Sequence, residues 1–225
     1  MALVFDRMAP ARGAKAAEAP LRSQYPLAVD AVRALGIRMW PMVRYQADDG
    51  LATGASRYRD EVDQVVICTT DLDLTQCVRS DRVVLLDRIR KRVTNERGVR
   101  ERFGVGPRQV PELLALVGDK SDGIHGIEGW GLKTTAAVLA RYPTIEGIPA
   151  KATDWDVAVR GAPRLARNLL ARRNEAILCR NLSVLRDDLP IPDRLSDLEW
   201  KGPDWPALRA ICRTVEDSAV LDRLS

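Results

Sequence analysis

The most informative part of the sequence is residues 118–134, in which acidic residues stand directly before a series of closely spaced glycines. The acids are Asp119 and Asp122, three positions apart. Carboxylate oxygens are the ligands that hard divalent cations prefer in proteins. The segment therefore predicts a metal site that includes both of these side chains.

The glycines of the same segment predict a hairpin that binds phosphate. Helical apolar periodicity begins directly after them and predicts a helix over residues 132–141. A glycine turn at a helix start exposes backbone N–H groups, which bind anions. A lysine at this end of a helix is unfavourable for the dipole unless an anion is nearby. The predicted phosphate contacts are Gly126, Gly129, Gly131, Lys133 and Thr134. Metal and phosphate chemistry together predict an enzyme that acts on a nucleic-acid backbone.

The composition is that of a globular protein. The chain has 225 residues, of which 46% are hydrophobic, enough for one large domain or two small ones. No apolar run reaches the length of a membrane span, and residues 1–6 lack the features of a signal peptide. We therefore expect a cytoplasmic monomer with no membrane contact.

The cysteines and the histidine argue against thiol or zinc chemistry. The four cysteines are scattered without a CxxC pair, so we expect them to be reduced and mostly buried. A zinc site is not expected, because His125 is the only histidine. No serine or cysteine nucleophile accompanies His125, so we interpret it as a surface residue.

The positive charge of the chain is concentrated in two stretches. The formal net charge is +4, and residues 88–102 hold seven Lys and Arg against two Glu. Residues 160–186 are also rich in arginine. Each stretch is either a solvated helix face or a contact surface for DNA. Arg167, Arg172 and Arg173 accordingly either line duplex DNA or only make their helix soluble.

Strands and helices alternate in the first half of the chain. Such alternation predicts an α/β layer with a largely parallel sheet. The predicted strands are residues 2–5, 37–43, 64–68 and 83–87, and the predicted helices are residues 21–35 and 48–59. Residues 7–20 are predicted to be a loop.

The second half is predicted to be helical. The predicted helices are residues 111–117, 132–141, 164–185 and 205–215, and the apolar positions of the third are Leu165, Leu169, Ala176, Leu182 and Leu185. Trp130 is predicted to anchor the hairpin in the core, and Trp40, Trp155, Trp200 and Trp205 are predicted to be packing residues. We predict three regions: a core over residues 1–105, a helical DNA-binding subdomain over 106–192, and a tail over 193–225.

Further carboxylates follow the predicted strands. They are Asp6, Asp48, Asp49, Asp71 and Asp73, and they precede the pair in residues 118–134. The carboxyl ends of parallel strands meet at one edge of a sheet, where acids repel one another unless cations neutralise them. For any one pair, helix capping is at least as good an explanation, with Asp48 and Asp71 as the capping residues.

Three motifs carry a resemblance to a known family. Residues 45–49, Tyr-Gln-Ala-Asp-Asp, resemble the Gly-Tyr-Glu-Ala-Asp-Asp signature of 5′-nucleases. Residues 70–76 resemble the Thr-Gly-Asp-Lys-Asp-Leu-Gln segment of the same proteins, and residues 118–134 resemble their helix-three-turn-helix. The chain is thus similar to the 5′-nuclease/flap endonuclease superfamily, and in particular to the 5′→3′ exonuclease domain of bacterial family A DNA polymerases.

The resemblance implies a fold, two metal sites and a reaction. The fold is a PIN-like α/β domain followed by a helix-three-turn-helix. The reaction is metal-dependent 5′→3′ exonuclease and flap-type endonuclease cleavage of DNA, with catalytic residues Asp48, Asp71, Asp73, Asp119 and Asp122. Mg²⁺ or Mn²⁺ would bind in two clusters, Asp6 with Gln46, Asp48 and Asp49, and Asp71 with Asp73, Asp119 and Asp122. The hairpin would hold duplex backbone, with K⁺ at its carbonyls.

The sequence departs from the family pattern in three ways. The family opens with a strand bearing an aspartate ahead of Asp6, and this sequence does not. Gln46 stands where the family has glutamate. The family's helical arch is shortened to residues 7–20, with Arg12, Lys15 and Arg22 as its remnants, of which Arg22 is a predicted DNA contact. We therefore expect a weakened first metal site, and two alternatives stay open: a catalytically impaired duplex-binding protein, or a fragment of a longer nuclease.

Overall fold

A computed structural model describes residues 2–6, 18–120 and 123–224, with side chains from residue 23 onwards. The strands are β1 (Ala2–Asp6), β2 (Arg38–Met42), β3 (Val65–Cys68), β4 (Val83–Asp87) and β5 (Arg92–Thr94). The helices are α1 (Glu18–Ala34), α2 (Ala47–Tyr58), α3 (Glu96–Phe103), α4 (Val110–Val117), α5 (Leu132–Arg141), α6 (Ala162–Ser183), α7 (Trp205–Val215) and α8 (Ala219–Leu224). Short 3₁₀ helices cover Asp73–Cys77, Pro107–Gln109, Ile145–Gly147, Ala152–Asp154 and Leu195–Leu198.

Most predicted elements are confirmed within a few residues, and α5 and α7 have the predicted bounds. Helix α1 begins at Glu18, inside the segment predicted to be a loop, and continues through Pro26. Three elements, β5, α3 and α8, were not predicted from the sequence. The first two of these lie in the basic stretch over residues 88–102, where charge hid the periodicity.

The strands form two sheets. β1 pairs with β2 in parallel, from Ala2 opposite Arg38 onwards. In the second sheet β3 pairs with β4 in parallel and β5 lies antiparallel on the other side of β4. The α/β class is confirmed. The strand ends were expected to meet at one edge of a sheet, whereas within the described residues the pairings form two sheets.

The described chain divides into two compact units, Met1–Gly50 with Leu189–Ser225, and Leu51–Asp188. The core of the larger unit is built around α4, whose residues from Val110 to Leu116 are all buried. Trp130 is 3% exposed and contributes to this core, as predicted. Its ring centroid lies 5.9 Å from that of Trp155. Full burial of a large apolar side chain stabilises a fold by about 1.5–3 kcal/mol, so this helix is a firm base for the segment that follows it.

An ion network that is buried at Glu112 links α6 to α4. Arg180 of α6 pairs with Glu112 of α4 and with Glu146. The second carboxylate oxygen of Glu112 accepts the backbone N–H of Ile145 at 3.1 Å. Glu112 is only 5% exposed, and burial raises the pKa of its carboxyl against the opposing effects of that N–H and Arg180. Removing the charge of Arg180 would leave Glu112 buried without its charged partner, which is strongly destabilising.

The smaller unit has its own core between α1 and α7, formed by Ala34, Leu208 and Cys212. Asp193 is 3% exposed and accepts the indole N–H of Trp40 at 2.7 Å. Arg38 also pairs with this carboxylate. The buried acid therefore has both a neutral and a charged donor, which offsets the cost of its desolvation.

Three burial predictions are wrong. Trp200 is 46% exposed, and its indole N–H donates to the Leu35 carbonyl at 2.7 Å. Leu182 is 76% exposed on α6. All four cysteines are free, but of them only Cys212 is buried. Among the residues that the structure describes, no helix is long and apolar enough to cross a bilayer.

Candidate metal and nucleic-acid site

Asp119, the first acid of the predicted pair, lies in a tight turn at the end of α4. The helix ends at Gly118, which has a φ of +95°. Asp119 donates its backbone N–H to the Ile124 carbonyl at 2.9 Å, and Ile124 returns the bond at 2.7 Å. Asp119 is only 9% exposed to solvent. Two backbone bonds thus hold Asp119 in the turn, whereas Asp122 lies outside the described residues.

Two glycines allow this turn and the hairpin to approach one another. Gly126 has a φ of +67°, and a Cβ there would lie 2.5 Å from the Val117 carbonyl oxygen. At Gly118 a Cβ would lie 2.9 Å from the Ile124 carbonyl oxygen. The N–H of Ile127 then donates to the Leu116 carbonyl at 2.8 Å. The acid turn and the entry to the hairpin are therefore one backbone-bonded segment.

The hairpin leads into α5 with its N–H groups open. Gly131 precedes the helix, and no side chain caps this end. No described atom lies within 4 Å of a Cβ placed at Gly131. Lys133 and Gly129 are exposed and Thr134 is half-buried. Backbone N–H groups without a side-chain cap, next to a lysine, are chemically suited to bind an anion. The predicted phosphate contacts therefore stay a prediction that is compatible with this geometry.

Helix α6 lies behind the hairpin and bonds to its backbone. Asn168 donates to the Glu128 carbonyl at 3.0 Å. Arg172 donates from Nη1 to the Gly126 carbonyl at 3.1 Å. In the other direction, the indole N–H of Trp130 donates to the Leu165 carbonyl at 3.2 Å. The sequence analysis missed this support, because contacts between residues about forty positions apart leave no local pattern.

Of the three arginines singled out on α6, two are structural. Arg173 donates to the carbonyls of Ile148 and Glu146, and Arg172 bonds to the hairpin. Neither predicted alternative, DNA lining or simple solubility, describes these contacts. Arg167 is exposed, and no described side chain forms an ion pair with it, so it keeps its predicted role as a DNA contact. The side chain of Arg22 lies outside the described residues, as do Arg12 and Lys15.

In the basic stretch over residues 88–102, some of the charge is locally paired. Arg90 pairs with Asp87 at 2.9 Å, and Arg100 pairs with Glu96 at 2.8 Å. Ion pairs between residues three or four positions apart in the sequence are typical of a solvated surface. For these residues the interpretation as a solvated surface fits better than DNA binding.

The Asp71 carboxylate, after β3, bonds to the backbone of its own loop. Asp71 Oδ1 accepts the N–H of Asp73 at 3.0 Å, and the N–H of Asp71 donates to Thr69 Oγ1. Asp73 begins a 3₁₀ helix. The capping residue of this helix is Leu72 and no side chain caps it, so the capping role predicted for Asp71 is not confirmed. Each carboxylate offers about four lone-pair sites, so one local bond leaves capacity for a cation.

The carboxylates at α2 show the same pattern. Asp48 and Asp49 lie in the first turn of α2, where the helix dipole favours negative charge. Asp49 Oδ2 accepts the N–H of Gln46 at 3.1 Å. Asp6 is the last residue of β1, and its side chain lies outside the described residues.

The described side chains do not by themselves complete a metal centre. Within the part of the chain that the structure describes, no three His, Cys, Asp or Glu side chains come close enough to hold an ion. The donors predicted from the sequence are all oxygens, which suit Mg²⁺ or Mn²⁺ better than zinc. The chemistry of the donor set therefore fits a hard cation, and both ligand sets stay predictions.

Two family models match adjoining parts of the sequence. The model described as "5′-3′ exonuclease, N-terminal resolvase-like domain" matches residues 11–104. The model described as "5′-3′ exonuclease, C-terminal SAM fold" matches residues 105–206. Between them they leave only short terminal segments unmatched.

Similar proteins include exonucleases and polymerases. The chain is 33% identical over 202 residues to a 5′-3′ exonuclease of Aquifex aeolicus, a match that covers 90% of this chain and 66% of that protein. It is 31% identical over 209 residues to DNA polymerase I of Bacillus caldotenax, covering 91% of this chain and 23% of the polymerase. The chain thus spans about a quarter of the length of this polymerase and about two thirds of the exonuclease.

Solved structures share the fold. A structure of T5 5′-exonuclease with bound divalent metal ions matches with a TM-score of 0.60 and 19% identity, covering 94% of this chain and 70% of that one. The catalytic core of Rad2 in complex with a DNA substrate matches with a TM-score of 0.57 and 15% identity, covering 95% and 72%. Because two adjoining family models match in order and the backbone has the same fold, the chain belongs to the 5′-3′ exonuclease family.

Proposed function

We propose that this protein hydrolyses DNA phosphodiester bonds as a metal-dependent 5′→3′ exonuclease and flap-type endonuclease. One observation carries the proposal: a single backbone-bonded segment joins the Asp119 turn to a glycine hairpin with uncapped N–H groups. Such a segment would hold a phosphate backbone at a fixed distance from metal-binding carboxylates. The family to which the chain belongs, and its exonuclease relative, support the same reaction.

The proposed DNA contacts read shape and charge, not sequence. The N–H groups at Gly129 and Gly131 and the side chains of Lys133, Thr134 and Arg167 would all bind phosphate oxygens. Phosphate contacts position a protein on DNA but carry no base information. Binding should therefore be independent of sequence and should weaken steeply as salt rises.

The metal ligands are proposed as two sets of carboxylates, as predicted from the sequence. Asp71, Asp73, Asp119 and Asp122 form the complete set, and Asp6, Asp48 and Asp49 form the reduced one. Bound Mg²⁺ or Mn²⁺ would lower the pKa of a water and stabilise the leaving oxygen of the phosphodiester. The contribution of the chain is to hold Asp119 in a turn closed by two backbone bonds, so that its carboxylate is placed before a cation binds. K⁺ at the hairpin carbonyls belongs to the same proposal.

Gln46 is expected to limit the reaction. An amide oxygen is neutral and binds a hard cation less strongly than a carboxylate does. Its backbone N–H is already bonded to Asp49, which places the side chain beside the reduced set. We expect the natural protein to cleave DNA weakly, and faster with Mn²⁺ than with Mg²⁺. Gln46→Glu should increase the rate of cleavage.

The test is cleavage of a duplex with a labelled 5′ flap, with products sized on a gel. The proposal predicts short products from the 5′ end, more product with Gln46→Glu, and none with Asp119→Asn. The second candidate, a duplex-binding protein without catalysis, is favoured by Gln46 and by the departures of the first metal set. Tight, salt-sensitive binding with no product from either the natural protein or Gln46→Glu would establish that candidate instead.

A further inference from the structure

Arg172 lies at a kink in α6 and points its side chain back to the hairpin. Its backbone angles, φ −126° and ψ 18°, are not helical, although α6 continues on both sides. Nη1 donates to the Gly126 carbonyl at 3.1 Å. Nε donates to Glu175 Oε2 at 2.8 Å, and Nη2 donates to the other oxygen of the same carboxylate. The three nitrogens of this guanidinium are thus all engaged within the protein.

Gly126, whose carbonyl accepts the bond from Arg172, has the left-handed backbone conformation at the entry to the hairpin. Gly126 is buried, and its left-handed backbone lies against Val117 and Gly118 so closely that no side chain fits. The next N–H, that of Ile127, is bonded to the end of α4. A bond to the Gly126 carbonyl therefore fixes both the acid turn before it and the hairpin after it.

The charge of Arg172 is balanced where it stands. Its bidentate bond with Glu175 lowers the pKa of that carboxyl, an effect to which the nearby His125 adds. A neutralised, doubly bonded guanidinium is a poor source of charge for a DNA phosphate, because binding there would first have to break the pair. Arg167, five positions earlier and exposed, has no such restraint.

We propose that Arg172, anchored by Glu175, is a positioning residue for nucleic-acid binding: it holds the hairpin in its binding conformation through the Gly126 carbonyl and does not itself contact DNA. The inference rests on the proposed function, because it assumes that the hairpin binds duplex backbone. The opposite reading is that Arg172 contacts a phosphate directly.

Glu175→Gln separates the two readings by the sign of its effect. If Arg172 contacts phosphate, loss of the neighbouring negative charge strengthens duplex binding. If Arg172 positions the hairpin, the weaker anchor lowers affinity, by about threefold, while Arg172→Ala lowers it by about tenfold, the size of one charged hydrogen bond. Arg172→Lys keeps the charge but loses the fork geometry, so it should restore little of the lost affinity. Tighter binding in Glu175→Gln, or full recovery in Arg172→Lys, would overturn the proposal.

The salt dependence of binding gives a second readout. Each phosphate contact contributes about 0.9 to the slope of log affinity against log salt concentration. Arg167→Ala should reduce this slope by about one contact, whereas Arg172→Ala should leave it unchanged at a lower affinity. Arg209→Ala, which removes an exposed charge from α7, serves as the matched control for net charge. An equal drop in slope for Arg172→Ala and Arg167→Ala contradicts the positioning role.

Amide hydrogen exchange without DNA separates this inference from the proposed function. The N–H groups of Ile127 and Trp130 are bonded to Leu116 and Ile127 carbonyls. They should exchange several-fold faster in Glu175→Gln and Arg172→Ala, and at the natural rate in Arg209→Ala. Unchanged exchange in both variants refutes the positioning role whether or not the protein binds DNA. Faster exchange in a protein that binds no duplex refutes only the proposed function.

Discussion

Replacing Gly126 by alanine should destabilise the larger unit far more than the same change at Gly123. Both glycines have a left-handed backbone, with φ of +67° and +72°. They differ in their surroundings: no described atom lies within 4 Å of a Cβ at Gly123, whereas three backbone atoms lie within 2.6 Å of one at Gly126. The pair thus isolates the steric cost from the conformational one.

The magnitude follows from what must move. The left-handed conformation costs a residue with a Cβ about 1 kcal/mol at either position. At Gly126 the added methyl would also separate residues 117–118 from the hairpin, which breaks the bonds from Gly118 to Leu114 and from Ile127 to Leu116. Each net backbone hydrogen bond stabilises by about 1 kcal/mol. The sum is about 1 kcal/mol for Gly123→Ala and about 3 kcal/mol for Gly126→Ala.

Thermal unfolding followed by circular dichroism measures the difference. For a chain of this size, 1 kcal/mol changes the melting temperature by about 2–4 °C. Gly126→Ala should therefore melt about 4–8 °C below Gly123→Ala. If the two variants melt within about 1 °C of each other, residues 117–118 can yield without loss, and the rigid segment from Asp119 to the hairpin does not exist.

Three further outcomes are expected. Gly131→Ala should fold normally, since no described atom lies near its Cβ and its φ is negative, but should bind duplex several-fold more weakly because the methyl stands where a phosphate would approach; a filter-binding titration decides. Mn²⁺ should raise the melting temperature of the natural protein by mass action and should do so much less in Asp119→Asn, so an equal rise in both would exclude this ligand. The pKa of Glu175 is lowered in the folded state, chiefly by its bond with Arg172, so its stabilising effect is present above the unfolded pKa of about 4.3 and is lost as pH falls below it. The difference in melting temperature between the natural protein and Glu175→Gln should thus be constant above about pH 5 and should decrease towards zero at lower pH. A difference that stays constant down to about pH 3 would contradict the pairing.

The local part of the candidate site could be predicted from the sequence. The glycines and the apolar period after them gave the hairpin and the bounds of α5, because backbone freedom and helical periodicity are properties of neighbouring residues. The burial of Trp130 followed from the same segment. The bond of Asp71 to the N–H of Asp73 is equally local, whereas the bond of Asp49 to the N–H of Gln46 was not predicted.

The long-range part could not be predicted. The order of strands along the sequence is the same whether they form one sheet or two, because strand pairing depends on residues that are far apart in the sequence. The charge-rich residues 88–102 hid β5 and α3, whose apolar positions are few. The contact of Arg172 with Gly126 spans forty-six positions, and an arginine on a helix has the same local pattern whether it faces solvent or a carbonyl.

The packing of Trp130 against Trp155 gives the protein an optical label at the hairpin. The two rings are 5.9 Å apart at an angle of 59°, close enough for their electronic transitions to couple. The indole of Trp130 is bonded to α6, while its backbone is bonded within the hairpin. A displacement of the hairpin relative to α6 therefore changes the near-ultraviolet dichroism and the fluorescence of this pair, so that its conformation can be followed in solution without any added dye.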